Sequence, residues 1–126
     1  MDITTELDAM RADVQGCVLV AFTDLTSQLV LASSASAKPA QEEMNALSRA
    51  AHLVLDGAYA ESAASGWDEG ARSEAAVLMT GSEARVFLRS TGNPVEALIC
   101  VCAPDTDLDA AVTRGRATLD QIAAKS

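Results

Sequence analysis

Apolar runs separated by short polar turns dominate the second half of the chain. Three such runs follow one another at Glu74–Thr80, Glu83–Arg89 and Val95–Ala103. A Gly-Ser pair and a Thr-Gly-Asn-Pro segment separate them, and connections of this composition are typical of β-hairpins. The sequence therefore predicts a meander of three strands. The third run is apolar without a break from Ala97 to Ala103, so we expect that strand to be covered on both faces, inside the sheet.

The first third of the chain predicts a short helix followed by another hairpin. Apolar residues recur at spacings of four, three and four over Ile3–Gln15, as on one face of a helix. Gly16 is expected to end this helix in the left-handed conformation. Cys17–Thr23 is almost wholly apolar and predicts a second interior strand, beside Val95–Ala103. After a polar turn, Gln28–Ser33 is predicted to return as an edge strand.

The longest helical pattern runs from Pro39 to about Ala60 and carries two apolar bands. A helix that lies on a sheet needs one band of about 100°. The first band comprises Met44, Leu47, Ala51, Val54, Leu55 and Ala58. The second band comprises Ala46, Ala50, Leu53, Gly57 and Ala60. The polar stripe comprises Asn45, Ser48, Arg49, His52, Asp56 and Tyr59. The small residues of the second band predict close contact with another helix, or with a copy of this one across a two-fold axis.

The remaining segments complete an α-β-β-α-β-β-β-α order in a single domain, residues 1–126. A loop of small and charged residues, Glu61–Ser73, carries the only tryptophan, Trp67. A final helix is predicted to be capped by Asp105 or Thr106 and to run to about Ala124. This order predicts the α+β class.

The balance of charge limits the partners that the chain is expected to bind. Nine Lys and Arg residues stand against 18 Asp and Glu residues, a net charge of −9. That surplus excludes nucleic acids and anionic membranes as expected partners, because both attract Lys and Arg. The acidic N-terminus lacks the pattern of a signal peptide, so we expect a soluble, cytoplasmic protein with reduced thiols.

The order and lengths of these elements resemble the roadblock/dynein light chain family over nearly the whole chain. The segments that carry the resemblance are Gly16 with CVLVAFTD and QLVLASS, the Ala-rich long helix, and EAAVLMT, EARVFLRS and VEALICVCAP. One departure is the first hairpin turn, Asp24-Leu25-Thr26-Ser27, where the family often has an Asp-Gly type of turn. The resemblance implies a profilin-like, five-stranded antiparallel sheet with the long helix on one face and the two terminal helices on the other.

The resemblance also implies a homodimer, formed by pairing the long helices and the edge strands that follow them. It implies a non-enzymatic regulator or scaffold, without a cofactor, whose partner is a small Ras-like GTPase. The residues that this interpretation places in the dimer interface are Ala46, Ala50, Leu53, Gly57, Ala60, Ala75, Val77 and Met79.

Three further positions are candidates for contact with a partner. Arg85 and Arg89 alternate on one face of a strand, and a guanidinium can bind a carboxylate or phosphate through two hydrogen bonds. The interpretation favoured for both is that they cover the periphery of the sheet with their stems. Trp67 is equally consistent with an interface anchor and with a lid on the core. His52 has no evident nucleophile, so no catalytic site is predicted.

Cys100 and Cys102 share one face of a strand, and Cys17 can lie on the neighbouring strand. Three adjacent thiols can bind a metal or act in redox chemistry. Zinc sites, however, usually space paired cysteines as C-x₂₋₄-C and use four ligands. The sequence therefore favours inert packing and predicts no metal site. A cysteine-based metal or redox protein stays an alternative function, as does a profilin- or PAS-like sensor of small molecules.

Overall fold

The computed structural model describes residues 3–37, 40–55 and 75–125 of the chain. These residues form helices α1 (Ile3–Asp13), α2 (Gln41–Leu55) and α3 (Leu108–Lys125) and strands β1 (Cys17–Asp24), β2 (Leu29–Ala35), β3 (Ala75–Met79), β4 (Ala84–Arg89) and β5 (Glu96–Cys102). The strands make one antiparallel sheet in the order β2-β1-β5-β4-β3. The α+β class and the five-stranded sheet are confirmed.

The centre of the sheet lies where the apolar runs predicted it. β5 pairs with β1 on one side and with β4 on the other, and its residues from Ala97 to Cys102 are all buried. β2 and β3 are the edge strands. A strand with two covered faces has no place for a polar side chain, which is why β5 reads as an unbroken apolar run.

Each face of the sheet is covered by its own layer of helices. On one face, α2 packs the described residues of its first apolar band, Met44 to Leu55, against Ala21, Phe87 and Ile99. On the other face, α1 and α3 pack against Val20, Leu88 and Leu98, among other residues. The two layers use alternate residues of the same strands, because successive side chains of a strand point to opposite faces. This arrangement is the one that the resemblance implied.

Several local details differ from the sequence-based predictions. The cap of α3 is Asp107, whose Oδ1 accepts a hydrogen bond of 3.1 Å from the Ala110 amide, and not Asp105 or Thr106. Leu25 does lie in the predicted turn, but its side chain is wholly buried in the α2 layer. Gly16 does adopt a left-handed conformation, with φ of 91°. A Cβ at Gly16 would strike the Thr106 hydroxyl, so its place also depends on a close approach to the loop before α3.

Ser48 is the clearest error of the helical wheel. The wheel predicts a place for Ser48 on the polar stripe of the long helix, yet Ser48 is completely buried against the sheet. Its hydroxyl lies 2.6 Å from that of Thr23 on β1. A polar side chain is stable in the core when such a partner satisfies it.

Some predictions concern residues outside the described ranges. These are Pro39 at the start of the long helix, the end of that helix after Leu55, the loop 61–73 and Glu74. Among the helices described, none is both long enough and apolar enough to cross a membrane.

Candidate interaction surface

The second apolar band of α2 is the first part of this surface. Its described members are Ala46, which is exposed, Ala50, which is half-buried, and Leu53, which is 47% exposed. On a helical wheel, the band flanks the buried face of α2 on the side away from Ser48. Because Ser48 is held to β1, the band lies on the flank that faces β4 and the edge strand β3.

The edge strand β3 is the second part. It pairs with β4 alone among the described strands, so the polar backbone groups of its other side have no strand to bind there. Val77, Leu78 and Met79 are all substantially exposed. An exposed edge with apolar side chains is a template for pairing with another chain.

The register of β3 refines which of its side chains accompany α2. Val77 pairs with Val86, which belongs to the α1–α3 layer. Ala76 pairs with Phe87, which belongs to the α2 layer. The predicted interface residues Ala75, Val77 and Met79 therefore point to the face opposite α2. Ala76 and Leu78 point to the face of α2, and the sequence-based prediction did not name them.

We call the combination of these features the α2–β3 surface. It consists of Ala46, Ala50 and Leu53 from α2, of Ala76 and Leu78 from β3, and of the outer backbone edge of β3. Gly57 and Ala60, which the sequence assigned to the same interface, lie outside the described residues, as does Trp67. The described part combines small side chains with half-exposed leucines beside an edge strand.

The two candidate arginines differ in their surroundings. Arg85 is partly exposed, and its Nε lies 2.5 Å from Glu83 Oε2. Arg89 is only 5% exposed. Its guanidinium donates hydrogen bonds of 2.7 Å to the carbonyl oxygens of Leu55 and Pro94. The prediction that Arg89 contacts a partner is therefore corrected, because its side chain is enclosed and joins α2 to the β4–β5 turn.

The three cysteines meet in the layer of α1 and α3. Cys17 Sγ lies 3.2 Å from Cys100 Sγ, and Cys100 Sγ lies 3.2 Å from Cys102 Sγ. All three thiols are free and buried, and their sulfurs lie within 4.8 Å of one another. The sequence placed Cys17 on a strand beside the other two, and this prediction is confirmed. We call this group the thiol cluster.

Hydrogen bonding within the thiol cluster shifts the pKa values of its members in opposite directions. Hydrogen bonds from Cys100 and Cys102 lower the pKa of Cys17. Hydrogen bonds with Cys102 and Cys17, together with burial, raise the pKa of Cys100. Cys17 is thus the member that loses a proton most readily, because two neighbouring thiols can donate to its thiolate.

Comparison with solved structures identifies the fold. No protein-family model and no curated protein sequence matches the chain. A Roadblock/LC7 domain from Streptomyces avermitilis matches with a TM-score of 0.81 and 10% identity, over 99% of this chain and 98% of that one. An MglB structure with a tetrameric arrangement matches with a TM-score of 0.79 and 15% identity, over 97% of this chain and 85% of that one. This chain has the roadblock/LC7 fold.

The profilin-like description of the fold is confirmed as well. Profilin II from Acanthamoeba castellanii matches with a TM-score of 0.66 and 14% identity, over 98% of both chains. At these identities the likeness is one of fold. In this roadblock/LC7 fold, the α2–β3 surface and the thiol cluster lie in different layers, with the sheet between α2 and the thiols.

Proposed function

We propose that this chain is a non-enzymatic regulatory or scaffold domain that forms a homodimer through its α2–β3 surface and binds a small Ras-like GTPase. The observation that carries the proposal is Leu53, a leucine 47% exposed on α2, together with the edge strand β3, which pairs with β4 alone among the described strands. A second copy of the chain brings the same surface, so a two-fold axis can cover both leucines and both edges at once.

The fold supports the oligomeric part of this proposal. The similar MglB structure has a tetrameric arrangement, so its chains associate. In this chain, two β3 edges can pair antiparallel and continue the sheet from one protomer into the other. The small side chains Ala46 and Ala50 allow two α2 helices to approach closely above that sheet. Leu78 then lies on the same side as the helix pair.

The partner class comes from the resemblance of the sequence to the roadblock/dynein light chain family. The net charge of −9 fits a partner whose contact surface is basic. The only histidine in the sequence, His52, lies on α2, and its buried Nδ1 has no hydrogen-bond partner among the described residues, which supports a binding role over a catalytic one.

The first experiment is the molar mass in solution, measured by sedimentation across a wide concentration range. We expect a dimer at micromolar concentration. Leu53→Asp should return the protein to a monomer, because it places an unpaired charge inside a close helix pair. Leu31→Asp is the matched control, since Leu31 is 50% exposed on the opposite edge strand, β2. A monomer at all concentrations would overturn the dimer and favour the small-molecule sensor.

The second experiment tests the GTPase. Small Ras-like GTPases of the same organism are loaded with fluorescent GDP or with a non-hydrolysable GTP analogue and titrated with the wild-type protein. We expect at least one of them to bind with an affinity that depends on the nucleotide. Equal affinity for both nucleotide states of every GTPase, or no binding at all, would contradict the proposed partner.

A further inference from the structure

The thiol cluster owes its geometry to an irregularity in β1. Along a regular strand, Cys17 and Leu19 would point to the same face. The pairing of β1 with β5 shifts register between these two residues, so Val18 is an extra residue, as in a β-bulge. Leu19 therefore packs in the α2 layer, while Cys17 turns to the α1–α3 layer, where Cys100 and Cys102 lie. The bulge thus aims the third thiol at the other two.

The cluster offers three soft ligands and no fourth. Among the described residues, no His, Asp or Glu joins the three sulfurs as a further donor. Zinc usually takes four ligands, and its Zn–S distance of about 2.3 Å would hold tetrahedral sulfurs about 3.8 Å apart. The two sulfur–sulfur distances of 3.2 Å are shorter than this. A pyramidal, three-coordinate centre has narrow angles at the ion and keeps its three sulfurs closer together.

Charge balance also selects among thiophilic ions. Three thiolates carry three negative charges, and burying an uncompensated charge is costly. Arg11 is the cationic group that acts on Cys17, and its Nε is already hydrogen-bonded to Ser34 at 2.9 Å. A monovalent or divalent ion would leave net negative charge among apolar side chains such as Val14 and Val20. A trivalent ion leaves none.

Cys17 is the member of the cluster nearest to solvent, since it is 9% exposed and the other two cysteines are 1% exposed. An open pocket of about 730 Å³ lies between the α1–β1 and β5–α3 connections, and Gly16 and Thr106 line it. Gly16 directly precedes Cys17. The Thr106 hydroxyl is buried close to this pocket, and its interaction with the Cys102 thiol acts to lower the pKa of Cys102.

We propose that Cys17, Cys100 and Cys102 form a three-sulfur binding site for a trivalent thiophilic ion of the arsenite class. Arsenous acid, As(OH)₃, is neutral in solution. It exchanges its three hydroxyl groups for three thiolates, each thiol proton leaves with one hydroxyl as water, and the arsenic stays in the +3 state. No oxidant or reductant is needed, and the product is neutral. This site is distinct from the proposed dimer surface and adds a second binding function to the domain.

The test is a titration of the reduced wild-type protein with arsenite in a thiol-free reductant. Native mass spectrometry should show one adduct per chain, with the mass of one arsenic atom less three hydrogen atoms. The melting temperature should rise by about 10 °C when arsenite is present at about a hundred times its Kd. An excess of dithiothreitol, which binds arsenite itself, should reverse both changes.

Two variants test whether the cysteines are the ligands, and two competing ions test the selectivity of the site. Cys17→Ala changes the least buried cysteine, at 9% exposure, and Cys102→Ala changes a fully enclosed one. Neither variant should form the adduct in which one arsenic atom replaces three hydrogen atoms. Circular dichroism checks that both variants fold. If neither variant folds, the mass of the arsenite-treated wild-type protein is sufficient to test the proposal. Zn²⁺ and Cu⁺ should stabilise the wild type less than arsenite does.

Three results would overturn the proposal. The first is the absence of an arsenic adduct on the folded wild-type protein, which would leave the thiols as packing. The second is an adduct that has lost fewer than three hydrogens. The third is equal or greater stabilisation by Zn²⁺ or Cu⁺. Leu53 lies on α2, on the other side of the sheet from the thiol cluster, so Leu53→Asp should bind arsenite as the wild type does. The experiment therefore distinguishes loss of the dimer from loss of the arsenite site.

Discussion

The hydroxyl of Ser48 on α2 lies 2.6 Å from the hydroxyl of Thr23 on β1, in the fully buried layer between helix and sheet. Thr23 donates its own proton to the carbonyl oxygen of Leu29, at 2.8 Å. Since a hydroxyl has a single proton, Ser48 must be the donor to Thr23. This short chain of hydrogen bonds joins α2, β1 and β2 at one point.

Thr23→Val should therefore destabilise the fold by about 2 kcal/mol, because it leaves the buried Ser48 hydroxyl and the Leu29 carbonyl without their partner. Ser48→Ala should cost only about 1 kcal/mol, since Thr23 keeps its bond to Leu29. Urea unfolding measures both, with Thr113→Val at an exposed position of α3 as the control. Equal losses for Thr23→Val and Thr113→Val would refute this role.

Arg89 is expected to stabilise the fold and not a complex. Arg89→Met should lower the free energy of unfolding by about 3 kcal/mol, because the buried carbonyl oxygen of Leu55 and the partly buried one of Pro94 lose a charged donor. The free energy of unfolding of Arg89→Lys should lie between those of the wild type and Arg89→Met. An ammonium group cannot bind both carbonyl oxygens with the geometry of the planar guanidinium. Arg49→Met, at an exposed site on α2, should change stability by less than about 0.5 kcal/mol. Chemical denaturation of the three variants would reveal a wrong assignment if Arg49→Met cost as much as Arg89→Met.

Gly115 allows α3 to lie close to the sheet. A Cβ there would strike Leu88 Cδ1 and would lie 3.2 Å from Leu98 Cδ2, and both leucines are buried. Alanine favours a helix over glycine by about 1 kcal/mol, but overpacking a core costs about 1–3 kcal/mol. We expect Gly115→Ala to destabilise the protein by about 1 kcal/mol in thermal unfolding. Thr113→Ala, exposed on the same helix, should be neutral or slightly stabilising, and a stabilising Gly115→Ala would contradict this packing.

The register of β3 predicts a difference between two neighbouring residues. Leu78 and Val77 are 39% and 41% exposed, but only Leu78 points to the side of α2. In the proposed dimer, Leu78→Asp should raise the Kd of self-association by about tenfold or more, since its charge would lie beneath the helix pair. Val77→Asp should raise it less. Sedimentation equilibrium measures the self-association Kd of both variants. A larger increase for Val77→Asp than for Leu78→Asp would contradict a dimer in which the two α2 helices pair on the Leu78 side of the sheet.

The pattern of the sequence determined the elements and their layers. The apolar runs of β1 and β5 predicted the sheet centre because a strand covered on both faces excludes polar side chains. The spacing of Met44, Leu47 and Ala51 likewise predicted the buried face of α2. Cys100 and Cys102 were assigned to a shared face by the two-residue period of a strand, and the register confirms it.

The tertiary structure decided what periodicity cannot encode. Ser48 is polar, and only the presence of Thr23 across the layer makes its burial stable. Arg89 carries a charge, and the backbone carbonyls of Leu55 and Pro94 accept hydrogen bonds from it inside the protein. Cys17 completes the thiol cluster because a bulge at Val18 reverses its direction. Each outcome depends on a partner distant in the sequence, or on a break in the regular period, and a helical wheel or an alternating pattern contains neither.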